Sequence, residues 1–85
     1  MEELIKRLRQ LLERVFPGAT VELEVAAPEK VGGFLIWNGF DQVDQVERQR
    51  RLWTAIRGEL SREDQLRITA ILTLTPDERS VPSES

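Results

Sequence analysis

The sequence predicts a small mixed α/β (α+β) fold in which a helix, two strands, a helix and a third strand follow one another. Three observations predict it. Residues 2–16 repeat apolar side chains at helical spacing, and so do residues 44–60. Residues 20–26 and 66–74 alternate with the two-residue period of a strand. Between the first alternating stretch and the second helix lies a short run that is apolar on both parities. With 85 residues the chain suits one domain, expected over 1–78, with 79–85 as a disordered tail of serine-rich composition.

In the first helix, Leu4, Ile5, Leu8, Leu11, Leu12, Val15 and Phe16 form one apolar stripe. Glu2 and Glu3 in its first turn oppose the positive end of the helix dipole. Pro17-Gly18 ends it, because Pro cannot continue a helix and Gly permits the reversal. In the first strand Val21, Leu23 and Val25 face one way and Thr20, Glu22 and Glu24 the other. Ala27 to Lys30 reads as a turn or short loop, and Gly32-Gly33 as a flexible entry to the second strand, Gly33–Asn38.

The second helix carries Val46, Gln49, Trp53, Ile56 and Leu60 on one stripe, with Leu52 and Ala55 beside it. Ser61-x-x-Asp64 has the form of a capping box and predicts one further helical turn. In the third strand Leu66, Ile68, Ala70, Leu72 and Leu74 share one face; Arg67, Thr69, Ile71 and Thr73 share the other. Thr75-Pro76-Asp77-Glu78 has the form of a helix start, so the chain ends in a short helical stub. The first two strands are close enough to pair as an antiparallel hairpin. The second and third, joined through a helix, are expected to be parallel. The result is a three-stranded mixed sheet with the helices on one face.

Composition narrows function. The chain has no His and no Cys, which removes the usual groups for neutral-pH proton transfer, thiol chemistry and transition-metal ligation. Paired carboxylates at Glu2-Glu3, Glu63-Asp64 and Asp77-Glu78 all fall at predicted helix starts, where capping explains them. We therefore expect no enzyme, no cofactor and no metal. No apolar run is long enough to cross a bilayer and no disulfide is possible, so the expected location is the cytoplasm. The net charge is −3, yet six Arg against four acids lie between Val46 and Arg67. That local bias permits an acidic partner.

The run from Phe40 through Asp41, Asp44 and Arg48-Gln49-Arg50 to Leu52-Trp53 and Ala55-Ile56 resembles the loop and second helix of the BolA family. In that family a Phe opens the loop and an Arg-His-Arg type triplet starts the helix. Thr69–Glu78 is similar to the family's third strand and the start of its last helix. The resemblance implies a fold related to class II KH domains and a non-enzymatic adaptor that pairs with a monothiol glutaredoxin in iron–sulfur or redox regulation. It also implies an alternative, a nucleic-acid-binding regulator of transcription using the Arg-rich second helix. It further implies a cluster-ligand role for the triplet His, where this chain has Gln49, and for a loop Cys or His that has no counterpart in Ala27–Gly33. An amide is a poor ligand for iron.

The expected contact surface is the loop 39–44 with Phe40, the helix start with Arg48, Gln49, Arg50 and Arg51, and the end of the third strand. Gln49 reads either as a partner contact or as a half-buried amide bonded to nearby backbone. The arginines read either as a phosphate-binding edge or as a solvated face paired with Glu47 or Asp44. Trp53 is expected in the core. Trp37 depends on which face the helices cover: if they cover Phe34 and Ile36, then Leu35, Trp37 and Ile71 form an open apolar patch suited to a homodimer or a partner; otherwise Trp37 points inward.

Overall fold

A computed structural model describes residues 1–80. Of the expected tail, residues 81–85 lie outside the described residues. Helix α1 (Glu2–Val15) buries Leu4, Leu8, Leu11 and Leu12 and stops where Gly18 takes a left-handed φ of 85°. Strand β1 (Thr20–Ala27) and strand β2 (Lys30–Ile36) form an antiparallel hairpin, with Thr20 opposite Ile36 and Val25 opposite Val31. The hairpin closes through Pro28-Glu29, with Glu29 at φ 63°.

After a 3-10 turn at Asn38–Phe40, helix α2 (Gln45–Glu59) and the one-turn helix α3 (Arg62–Leu66) lead to strand β3 (Ile68–Leu74). Strand β3 runs parallel to β2, so the sheet order is β1-β2-β3 with β2 central. Helix α4 (Pro76–Ser80) ends the described chain. Both short helices start as the sequence predicts. Ser61 Oγ accepts from the Asp64 amide at 3.1 Å. Thr75 and Glu78 cap each other reciprocally, at 2.9 and 3.1 Å. Among the described residues no helix is long and apolar enough to cross a membrane.

Helices α1 and α2 cover one sheet face. The core joins Leu8, Leu11 and Leu12 of α1 to Val21, Val31, Leu35 and Ile71 of the sheet and Leu52 and Ile56 of α2. Leu35 and Ile71 thus face the helices, and Trp37 turns inward with them; the open patch of Leu35, Trp37 and Ile71 does not form. The parity is set by the ladder: Val21, Leu35 and Thr73 lie in one row across the sheet, Glu22, Phe34 and Leu72 in the next. Leu72, half-exposed, stands on the far face. There Arg79 of α4 pairs with Glu22 at 2.9 Å and lies over the Phe34 ring, 5.2 Å from its centroid.

Two further expectations are corrected. Gly32-Gly33 is mid-strand, not a flexible entry: Gly33 sits opposite Leu23 on one side and Ile71 on the other. A Cβ at Gly33 would overlap the Glu22 carbonyl, so β1 reaches this distance only because the side chain is missing. The buried stripe of α2 is also rotated from the one that hydropathy selects. It contains Arg48, Leu52 and Ile56, while Val46 is 72% exposed.

Candidate functional site

Helix α2 has two working sides. The inner side begins with Asp44, whose carboxylate caps the helix by accepting from the Glu47 amide at 2.9 Å. This start fixes the helix phase and turns Arg48 inward, where it is only 5% exposed. Its guanidinium makes four hydrogen bonds. Nε donates to Val43 O at 2.7 Å, and Nη1 donates to Thr73 O at 3.1 Å and to Glu78 Oε1 at 2.7 Å. Nη2 donates to Glu78 Oε2 at 3.2 Å, which makes the pair with Glu78 two-pronged. The guanidinium also stands 5.5 Å from the centroid of the Phe40 ring. One side chain therefore joins the loop before α2, the end of β3 and α4. The Glu78 carboxyl is held below its ordinary pKa, first by the hydrogen bond from Arg48 and then by the Thr75 amide.

Gln45 and Gln49 extend this side along β3. Gln45 Nε2 donates to Thr73 O at 3.0 Å, and its Oε1 accepts from Thr73 Oγ1 at 2.9 Å. Gln49 Nε2 donates to Ile71 O at 2.9 Å and to Thr73 Oγ1 at 3.2 Å. These bonds occupy carbonyls on the outer edge of β3, which would otherwise be open to another strand. They also explain how Thr73 is buried without an unsatisfied hydroxyl.

The outer side of α2 frames a groove of about 440 Å³ against the end of α1. Val15 and Phe16 form one wall, and Trp37 joins them from the end of β2. Glu47, Arg50, Arg51, Thr54 and Ala55 line the other wall, at the three- and four-residue spacing of one helix face. The Trp37 ring is fixed: its indole N–H donates to Pro17 O at 2.8 Å. Phe16 and Phe40 meet it edge-on, with centroids 5.1 and 5.2 Å away. A Cβ on Gly39 would come within 2.5 Å of that ring, so Gly39 leaves the space it occupies. On the rim, Arg50 and Arg51 share one carboxylate, Glu47, at 3.6 and 3.2 Å.

The residues singled out from sequence thus separate. Phe40 is completely buried and Arg48 nearly so; they pack and anchor, and neither offers a contact surface. Gln49 is the half-buried amide bonded to backbone. Trp37, Arg50 and Arg51 come together in the groove. Glu78, Gln45 and Thr73 were missed because their partners are distant in sequence, although the 75–78 capping pattern marks Glu78. Val15 and Phe16 read as core residues of α1, and only Phe16 is buried.

An iron–sulfur cluster draws its ligands from thiolates and, less often, imidazoles. The chain has neither, and the Gln49 amide nitrogen is committed to β3. The residues present do not fit such a cluster. Among the described residues no group of three or more His, Cys, Asp or Glu side chains is placed to hold a metal ion.

No family model matches the chain, and no curated protein matches it significantly. Solved structures do match. BolA1 from Arabidopsis thaliana superposes with a TM-score of 0.71 at 22% identity, over 93% of this chain and 96% of that one. A bol-like protein from Babesia bovis gives a TM-score of 0.54 at 19% identity, over 86% and 85% of the two chains. The fold is BolA-like.

Proposed function

Proceeding from the BolA-like fold, we propose that this chain is a non-enzymatic interaction module of the cytosol that pairs with a monothiol glutaredoxin and contributes no ligand to a cluster. The observation that carries this reading is the division of α2. Its inner side is consumed by bonds to β3 and α4, while its outer side borders a formed groove with a fixed Trp and two arginines. Trp and Arg in a concave, preorganised setting are the side chains that most often dominate protein interfaces. The absence of His and Cys supports a role in which the chain binds a partner and leaves the chemistry to it.

The alternative, a nucleic-acid-binding regulator, has less support. Arg48 is buried, Arg50 and Arg51 lean on Glu47, and the chain is acidic overall.

The test is titration of the chain with a cluster-loaded monothiol glutaredoxin, followed by calorimetry and visible circular dichroism. We expect a heterocomplex in which the cluster keeps the ligand-field spectrum of the glutaredoxin alone. Lack of association at tens of micromolar would overturn the reading.

A further inference from the structure

We infer that the groove between the end of α1 and α2 docks a partner peptide that carries a carboxylate beside a large apolar side chain. This rests on the interaction-module reading above and names the chemistry of the partner at that site.

The apolar half of the ligand follows from the walls. Val15 is 41% exposed although it continues the apolar stripe of α1, and it faces a space lined also by the half-buried Trp37, with Phe16 buried behind them. The cavity volume accommodates a large side chain. The indole is locked by its bond to Pro17 and by two ring contacts, so little side-chain entropy is lost when a ligand covers it.

The acidic half follows from the rim. Two guanidiniums share the Glu47 carboxylate, which leaves one excess positive charge at the mouth of an apolar groove. Glu47 reaches Arg50 only at 3.6 Å, and the Arg50 side chain is mostly exposed, so it can swing to a second carboxylate at small cost. A peptide is favoured over a nucleic acid because Glu47 stands between the two arginines, where it would repel a continuous phosphate backbone.

A displayed random-peptide library, panned against the chain, tests this. The most enriched peptide is then synthesised and titrated, with the Trp37 indole and the α2 amides followed by nuclear magnetic resonance. Enriched sequences are expected to pair Asp or Glu with Leu, Ile, Phe or Trp, and the shifts to map to Trp37, Arg50 and Arg51. The Arg50→Glu, Arg51→Glu double variant is expected to bind about tenfold more weakly or worse. Arg50→Lys with Arg51→Lys is expected to retain most of the affinity. An unchanged thermal melt and amide spectrum establish that the double variant is folded. Four results would overturn the inference: no enriched sequence, enriched peptides without acids, equal affinity for the charge-reversed variant, or stronger binding of a single-stranded oligothymidine at the same residues. Glutaredoxin binding to the unaltered chain is measured separately and decides the adaptor reading alone.

Discussion

Arg48 shows what a single buried charge does in this fold. Its guanidinium is out of water, yet it makes four hydrogen bonds, to the Val43 and Thr73 carbonyls and to the Glu78 carboxylate. Truncation would strand the Val43 carbonyl, remove the cation that pairs with Glu78 and loosen α4. We expect Arg48→Ala to cost about 2–3 kcal/mol, read as a lower urea midpoint with little change in slope. Glu78 adds a pH dependence. Its folded pKa lies below the unfolded value, so the pairing stabilises the fold fully above the ordinary carboxylate range and is lost as pH falls through the folded value. The melting temperature should therefore drop on acidification. Glu78→Gln should be less stable at neutral pH and show a flatter acid limb. None of this was legible at position 48 itself: an Arg in an Arg-rich stretch reads as surface, and only Thr73 and Glu78, distant in sequence, make it an inner residue.

The secondary elements were more legible than their faces. Period, caps and breakers located the helices and strands because each of those signals is local, as with the Ser61 and Thr75 caps. Strand β3 shows where local pattern fails. Its Leu-rich parity carries Leu72 to the far face, while the parity bearing Thr69, Ile71 and Thr73 supplies the buried Ile71 and Thr73. Apolar content alone favours the wrong side. Side-chain bonds from α2 make Thr73 an acceptable inner residue, and those bonds are tertiary. The start of strand β2 is hidden for a similar reason, since Gly32-Gly33 reads as a flexible strand entry when the close approach of β1 is not visible. At Gly33 that approach yields a prediction. Gly33→Ala must push β1 away and is expected to cost about 3 kcal/mol or more, with faster hydrogen exchange along the hairpin. Gly58, with open space around its Cβ position, provides the control.

At the scale of the whole molecule, stability and recognition draw on different residues. The apolar cluster of α1, the sheet and α2 supplies most of the drive to fold. Ion pairs such as Arg7–Asp64, Arg14–Glu59 and Arg79–Glu22 join elements far apart in sequence, but they are largely solvated, and each contributes little. The order of elements and the hairpin were readable because each depends on neighbours in the chain. The groove was not, because it is assembled from the end of α1, one residue after β2 and one face of α2. Its shape, in turn, depends on a residue outside its walls. Gly39 clears the volume beside the Trp37 ring, and any larger side chain there would force the indole to shift. Related chains that differ at this position would inherit the same arginines but a differently shaped recess. Divergence in binding taste could thus accumulate at a turn outside the groove's walls, unseen by any comparison confined to the residues that line it.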